Sequence, residues 1–140
     1  MSELRIRAAD LEGVRAHARG GAPLEVCGLL AGRREGDRLD VERVVRVPNA
    51  DPDPRVRYAL EPAAYARAVL QAEDEWGLEV VGFYHSHPAG PPRLSATDHA
   101  RASWPDAAYL LVWLAPDEGV GCWTWREKER AFEARAIVVR

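Results

Sequence analysis

Three histidines and an aspartate that lie close together are the residues of this sequence best suited to joint chemistry. Three of the four histidines fall within fifteen residues, at positions 85, 87 and 99. His85 and His87 are two positions apart, where an apolar segment runs into a loop rich in proline and glycine. In an extended backbone the side chains at positions i and i+2 point to the same face, so both imidazoles can bind one ion. Asp98 lies in the first turn of the next predicted helix and offers a carboxylate as a third ligand. The spacing therefore predicts a metal site.

Two histidines and one aspartate predict a catalytic zinc site rather than a structural one. They supply three protein ligands and leave a fourth position for water. A zinc ion in such a site lowers the pKa of its water to about 7, which provides a nucleophile at neutral pH. A single histidine at a strand end is more often a surface residue, and Ser95-Ala-Thr-Asp98 also fits a capping box. The combination of His85, His87, Pro88, Ser95 and Asp98 arises by chance in a chain of this length about once in 10⁴, which favours the metal site.

Two separate segments of the sequence resemble the JAMM motif of the MPN-domain metalloproteases. The first is E-V-C-G-L-L at residues 25–30, and the second is H-S-H-P-x6-S-x2-D at residues 85–98. The motif is complete, and the order of the predicted helices and strands agrees with the family over most of the chain. The chain resembles the small prokaryotic members that consist of a single domain.

The resemblance implies a role for each residue of the motif. His85, His87 and Asp98 would bind one Zn²⁺ ion per chain. Glu25 would be the general acid and base that handles the proton of the water, and Ser95 would hydrogen-bond to the oxyanion of the tetrahedral intermediate. Amide hydrolysis does need a carboxylate of this kind, because the leaving amine must be protonated as it departs. Partial burial beside an apolar strand would raise the pKa of Glu25 toward that task, whereas a solvent-exposed glutamate is the ordinary alternative.

The resemblance also implies a substrate class. Enzymes of this small type cut after the Gly-Gly tail of ubiquitin or of ubiquitin-fold proteins, which in prokaryotes are small sulfur carriers. The bond would join the carrier to a lysine of a target protein or to a free cysteine. Larger eukaryotic members bind ubiquitin through long insertions that this chain lacks, so residues 48–57 and 89–94 are the loops available to gate the site. We therefore expect a metalloprotease or isopeptidase whose partner is a ubiquitin-fold carrier.

Three alternative functions fit parts of the sequence. A metal-free MPN-type scaffold would act only by binding proteins, but such scaffolds typically lack one or more motif residues. All five residues with roles in the motif are present here, Glu25, His85, His87, Ser95 and Asp98. A zinc nucleobase deaminase has a similar plan of sheet and helices, but its H-x-E and P-C-x-x-C signature is absent from the sequence. A DNA-associated JAMM-like protein usually has asparagine between the two histidines and a longer chain, whereas this sequence has Ser86.

The composition indicates an ordinary globular protein. The chain has 140 residues, 47% hydrophobic and 29% charged, so we expect one folded domain spanning residues 1–140. The net charge is −3 and the basic residues are scattered, which gives no electrostatic field for binding nucleic acid. Cys27 and Cys122 are too far apart for a cysteine-based zinc knuckle. No signal peptide and no apolar run of ~18–20 residues is apparent, so we expect a cytoplasmic protein that binds no membrane.

The elements that must position the motif are a strand after Glu25, a strand before His85 and a helix that begins at Ser95. Strands that alternate with helices, followed by a run of antiparallel strands, predict a mixed β-sheet packed with helices, an α/β fold of the α+β type. The resemblance implies the MPN architecture, which is similar to that of cytidine deaminases. The predicted strands span residues 4–7, 26–31, 39–47, 78–84, 107–115, 120–126 and 131–139, and the predicted helices span 10–19, 62–76 and a segment that starts at residue 95.

Overall fold

A computed structural model describes residues 2–102 and 104–140 of the chain. Within them, eight strands form one sheet. The strands are β1 (Glu3–Ile6), β2 (Cys27–Glu35), β3 (Arg38–Val47), β4 (Glu79–His87), β5 (Ala108–Trp113), β6 (Gly119–Arg126), β7 (Ala131–Ala134) and β8 (Ala136–Val139). The α-helices are α1 (Ala8–Gly21), α2 (Pro62–Leu70) and α3 (Ala96–Arg101). The strand order is β7-β6-β5-β4-β2-β3-β1-β8.

The sheet is mixed and carries apolar side chains on both faces, which confirms the predicted fold class. β4 runs antiparallel to β2 and parallel to β5, and β1 runs parallel to both β3 and β8. Alternate residues of β5 belong to two different apolar clusters, because successive side chains of a strand point to opposite faces. The first cluster includes buried residues of α1, and the second includes Ala68 of α2 and Ala102, which follows α3.

Local sequence explains which face of α1 is buried and where α2 begins and its π-helical extension ends. Leu11, Val14 and Ala18 form the buried stripe of α1, at the spacing of a helix that packs on one face. Pro62 occupies the first turn of α2, where its missing N–H costs nothing. A π-helical turn extends α2 through residue 75, and Gly77, with φ of +62°, follows it. None of the helices in the described residues has the length and apolar composition needed to cross a membrane.

The pairing of β2 with β4 brings the two motif segments together. Cys27 of β2 lies opposite His85 of β4. Because the two strands are antiparallel, continuing this register beyond the start of β2 places Glu25 beside His87. The structure also extends β4 through His87, whereas the prediction ended this strand at Tyr84, so both histidines lie within a hydrogen-bonded strand rather than in the loop after it.

The predicted single strand over residues 131–139 is wrong. The segment forms two strands separated by Arg135, and these lie at opposite ends of the strand order, β7 beside β6 and β8 beside β1. The reason is that the sheet curls until its two edges meet at this residue: the Arg135 N–H donates to the Cys122 carbonyl of β6, and the neighbouring Ala136 N–H donates to the Ser2 carbonyl. Apolar alternation continues through such a crossing, so the pattern alone gives no break.

Candidate metal centre

The end of β4 and the start of α3 bring the three predicted ligands together. The ring centroids of His85 and His87 are 5.0 Å apart. The Asp98 Oδ2 atom lies 3.2 Å from His85 Nε2 and 3.1 Å from His87 Nε2. His85 and His87 are buried, with side chains 1% and 4% exposed, and the Asp98 side chain is only 9% exposed. Two nitrogens and one oxygen therefore converge in a region shielded from solvent.

These two nitrogens and one oxygen have the spacing of ligand atoms around one small cation. Zinc ligands lie about 2.0–2.2 Å from the ion, so neighbouring ligand atoms of a tetrahedral site are about 3.3 Å apart, close to the separations measured here. The contact of His85 Nε2 with Asp98 lacks hydrogen-bond geometry, and among the described residues His85 Nε2 and Glu25 Oε1 are buried atoms without a hydrogen-bond partner. Buried polar atoms are rarely left unpaired. The ligand atoms of Glu25, His85 and His87 also lie within 4.8 Å of one another. The residues present fit a metal ion.

Neighbouring groups hold the two imidazole rings in place. His87 Nδ1 lies 3.0 Å from the Pro91 carbonyl oxygen, and a proton on that nitrogen leaves Nε2 free to bind a metal. The ring of Tyr58 stacks on the ring of His85, with a centroid distance of 4.3 Å and an angle of 23° between the planes. These contacts orient both rings.

Glu25 lies two residues before β2, next to the strand that carries the histidines. Ser86, between the two histidines, bonds to Val26 twice: its N–H donates to the Val26 carbonyl at 3.1 Å, and its Oγ accepts from the Val26 N–H at 2.9 Å. Glu25 is only 4% exposed. Burial raises the pKa of Glu25 to about 7, although the charge of His87 acts in the opposite direction. The carboxyl group can thus hold or release a proton near neutral pH.

The pKa values of the three predicted ligands are shifted from their ordinary values in different directions. Burial lowers the pKa of His85. Burial also acts to lower the pKa of His87, but its contact with the Asp98 carboxylate and the Pro91 carbonyl raises it overall. Burial acts to raise the pKa of Asp98, but its contacts with both histidines hold it well below the usual range. The aspartate is therefore ionised, as a metal ligand must be.

Ser95 caps α3 and at the same time anchors Asp98. The Ser95 Oγ atom accepts a hydrogen bond from the Asp98 N–H at 3.0 Å, and the Ser95 N–H donates to Asp98 Oδ2 at 2.8 Å. This is the capping box that the sequence suggested. In that pair the hydroxyl oxygen is an acceptor, so its proton remains available for another partner. The cap and the role expected of Ser95 toward an oxyanion are compatible.

Ser86 and Tyr58 lie beside the site and were not among the predicted site residues. Ser86 has a signal in the sequence: it stands between the two histidines of a strand, so its side chain must point to the face opposite theirs. Tyr58 has none, since its contact with His85 depends on the path of the loop between β3 and α2. Side chains that reach a site from a separate loop are set by tertiary structure.

A cavity of about 490 Å³ opens beside Asp98. Arg101 lies at its wall, where its Nη1 donates to Asp51 Oδ2 at 2.8 Å and to the Tyr58 carbonyl at 2.9 Å. The remaining wall is mainly apolar and includes the aromatic side chains of Tyr58, Tyr65, Phe83, Trp104 and Tyr109. The site therefore adjoins a space that suits an apolar segment of chain.

Three proteins with named activities are similar to this chain. It is 40% identical over 132 residues to a desampylase from Haloferax volcanii, with 91% of each protein covered. It is 45% identical over 94 residues to a probable TtuB-protein conjugate cleaving protease from Thermus thermophilus, with 67% of this chain and 60% of that protein covered. It is 39% identical over 109 residues to a CysO-cysteine peptidase from Mycobacterium tuberculosis, with 78% and 72% covered.

Structural and family comparisons agree with the fold and the motif. The solution structure of a protein from Desulfitobacterium hafniense matches with a TM-score of 0.86 and 32% identity, over 98% of this chain and 92% of that one. The family described as prokaryotic homologs of the JAB domain matches residues 8–136, which include Glu25 and the whole His85–Asp98 segment. The resemblance to the JAMM/MPN proteins is therefore confirmed, and the chain belongs to the Prok-JAB family, the prokaryotic homologues of the JAB domain.

Proposed function

We propose that this protein is a zinc-dependent metallopeptidase that hydrolyses the amide bond after the C-terminal Gly-Gly tail of a small ubiquitin-fold carrier protein. The observation that carries the proposal is the buried Glu25 carboxyl group, with an unpartnered oxygen, beside three converging donor atoms. A structural metal site is closed by its ligands and has no use for a proton acceptor at its side. A hydrolytic site requires one.

His85, His87 and Asp98 would hold the zinc ion, one per chain, because a set of two nitrogens and one oxygen suits this metal. When bound, zinc supplies Lewis acidity and makes water reactive at neutral pH. The chain contributes the preorganisation of the ligands. The Pro91 carbonyl sets the orientation of the His87 ring, and the backbone N–H of Ser95 fixes Asp98 Oδ2.

Glu25 and Ser95 act on the reacting groups. Glu25 takes a proton from the attacking water and then donates it to the amine as the carbon–nitrogen bond breaks. A pKa raised by burial to about 7 suits both halves of this transfer, since the group must accept and release one proton in each cycle. The hydroxyl of Ser95 donates a hydrogen bond to the oxyanion of the tetrahedral intermediate, where negative charge develops.

The proposed substrate class is supported by the relatives and by the space at the site. One relative is a probable TtuB-protein conjugate cleaving protease and another is a CysO-cysteine peptidase. Glycines without side chains can pass through a narrow cleft to the metal. The aromatic cavity beside Asp98 has room for the residues that precede the glycines. The carrier would be joined to a lysine of a target protein or to a cysteine.

The first experiment measures zinc per chain for the wild type and for His87→Ala, both purified without chelator. We expect about one zinc per wild-type chain and a loss of most of it in the variant, because two remaining ligands hold zinc poorly. If neither protein binds zinc, even after reconstitution, the hydrolase proposal fails and a non-catalytic MPN-type scaffold takes its place.

The second experiment measures cleavage. Ubiquitin-fold carriers, TtuB and CysO among them, are linked through Gly-Gly to a lysine peptide or to cysteine, with matched carriers that end in Gly-Ala. We expect the zinc-loaded protein to cleave the Gly-Gly conjugates, to lose this activity with chelator and to regain it with zinc. A zinc-bound protein that cleaves none of these conjugates would contradict the proposed substrate class.

A further inference from the structure

Asn49 is the centre of a hydrogen-bond network beside the site. It is the only asparagine of the chain and follows the end of β3. Its Oδ1 accepts from the backbone N–H groups of Asp51 and Ala59, each at 3.0 Å. Its Nδ2 donates to the Glu25 carbonyl at 2.9 Å and to the Arg57 carbonyl at 3.0 Å. One side chain thus uses all four of its hydrogen-bonding positions, two as acceptor and two as donor.

The loop organised by Asn49 holds the backbone of Glu25 on both sides. The Glu25 N–H donates to the Pro54 carbonyl at 2.7 Å, and the Glu25 carbonyl accepts from Asn49 Nδ2. Glu25 precedes the first residue of β2 by two positions, so these bonds from the loop take the place of strand pairing. The position of Glu25 therefore depends on Asn49 rather than on the sheet alone.

The same loop reaches the other side of the site. Tyr58, one residue before Ala59, stacks on His85. Asp51, whose side chain is 3% exposed, binds Arg101 of α3 at 2.8 Å. Asn49 thus closes a loop whose members contact the acid–base residue, a histidine and the helix that carries Asp98. A network in which every polar group is satisfied is rigid and specifies one geometry.

We propose that Asn49 is a positioning residue for the reaction, acting through Glu25. Its carboxamide fixes the backbone of Glu25 and thereby aims the carboxyl group at the attacking water and the leaving amine. The inference rests on the proposed peptidase function and adds to it a residue outside the motif. Catalytic groups need to be held within about 0.5 Å of the productive geometry, and a displacement of about 1 Å can cost about 100-fold in rate.

The test is a double-mutant cycle with Asn49→Asp and Glu25→Gln. Asn49→Asp keeps both acceptor bonds but replaces the two donors with an oxygen that faces the Glu25 and Arg57 carbonyls. We expect kcat to fall about 10–100-fold with KM changed less than about threefold, and zinc per chain to remain that of the wild type. In the Glu25→Gln background the same change should cost no further activity, because the group through which Asn49 acts is already lost.

Two further variants keep the test decisive. Asn49→Ala removes the donors without adding a negative charge, and it carries the cycle if Asn49→Asp does not fold. Gln71→Glu makes the same amide-to-carboxylate change in the π-helical turn after α2, outside the site, and should leave kcat at the wild-type value. Equal losses from Asn49→Asp in both backgrounds would overturn the proposal and leave Asn49 a purely structural residue.

Hydrogen exchange separates failure of this proposal from failure of the peptidase function. We expect the Glu25 amide to exchange at least about tenfold faster in Asn49→Asp than in the wild type, because its bond to Pro54 is loosened, and no faster in Gln71→Glu. An inactive wild type would contradict the peptidase, while this measurement would still report whether Asn49 holds Glu25. Unchanged exchange would overturn the positioning role even in an active enzyme.

Discussion

Burial changes what one glutamate can do. An exposed glutamate is ionised at neutral pH and transfers protons poorly to a leaving amine, because its conjugate acid is scarce. Glu25 is nearly sealed from solvent, and its pKa is raised to about 7, chiefly by that burial. Near neutral pH the two protonation states are then similarly populated, which is the condition for a group that both accepts and donates a proton.

Replacing Glu25 with glutamine should separate metal binding from turnover. Glu25→Gln keeps the size of the side chain and removes the proton-transfer group, so we expect zinc per chain to be unchanged and kcat to fall roughly 10²–10⁴-fold. Zinc analysis and the conjugate-cleavage assay measure the two effects on one preparation. Wild-type turnover in Glu25→Gln would contradict the acid–base role assigned to Glu25.

Individual motif residues could be predicted from the sequence, and their supporting contacts could not. The spacing of His85 and His87 lets both imidazoles face one ion once a strand is assumed, and Asp98 follows in the first turn of the next predicted helix. The contacts of Tyr58 and Asn49 with the site come from a loop whose path follows from its own hydrogen bonds. Sequence distance from Glu25 to Asn49 carries no information on that path.

Among the elements, α3 is stabilised at its first turn by the same residues that serve the predicted metal site. It has six residues, Ala96–Arg101, and none of them is buried, so apolar packing contributes little to hold it. Its start is instead fixed by the capping box between Ser95 and Asp98. Asp98 is also the residue whose carboxylate contacts both histidines. A short helix can present a ligand accurately when its first turn is tied in this way.

Substitution of Ser95 should distinguish its helix cap from its hydroxyl. Glycine is nearly as good an N-cap as serine, so we expect Ser95→Gly to change the free energy of unfolding by only about 0.5 kcal/mol or less. Loss of a hydrogen-bond donor to the oxyanion should lower kcat about 10²–10³-fold. Urea unfolding and steady-state kinetics measure the two quantities. Ser95→Thr, which keeps a hydroxyl, is the control, and wild-type kcat in Ser95→Gly would leave Ser95 a cap alone.

The strands also determine the reactivity of the two thiols. Cys27 of β2 and Cys122 of β6 are free and buried, and burial raises the pKa of each to about 12. A raised thiol pKa means that the reactive thiolate is scarce at pH 8. We expect the folded protein to react with neither iodoacetamide nor a disulfide reagent at that pH, and the urea-unfolded protein to react at two thiols. Rapid labelling of the folded state would show that a strand opens readily.

At the scale of the whole molecule, closure of the sheet depends on one buried arginine. Arg135 is 6% exposed and lies between β7 and β8. Its Nε donates to Thr124 Oγ1 at 2.6 Å, and its Nη1 donates to the carbonyls of Glu3 at 3.0 Å and Asp37 at 2.7 Å. These partners belong to β6, to β1 and to the turn after β2, so one guanidinium joins the two edges of the curled sheet.

Loss of this arginine should destabilise the protein without altering the metal site. We expect Arg135→Met to lower the free energy of unfolding by about 2–4 kcal/mol, because buried carbonyls lose a charged donor. Arg126→Met is the control: its partners Asp106 and Glu133 are exposed, so the loss should be below about 1 kcal/mol. Urea unfolding measures both, and zinc per folded chain should remain unchanged. Equal losses in the two variants would contradict the role of Arg135 in closing the sheet.

The sequence by itself determined the chemistry and the class of fold. The spacing of His85, His87 and Asp98 predicts a metal site, and the apolar periodicity predicts a mixed sheet with helices, because both depend on local geometry. The resemblance to the JAMM motif adds Glu25 and Ser95 and implies hydrolysis. Tertiary structure alone decided the rest. Three features were decided in this way: the crossing at Arg135, the burial that raises the pKa of Glu25, and the hydrogen bond from Asn49 to the Glu25 carbonyl. All three arise from contacts between residues far apart in the chain, and no local pattern encodes such contacts.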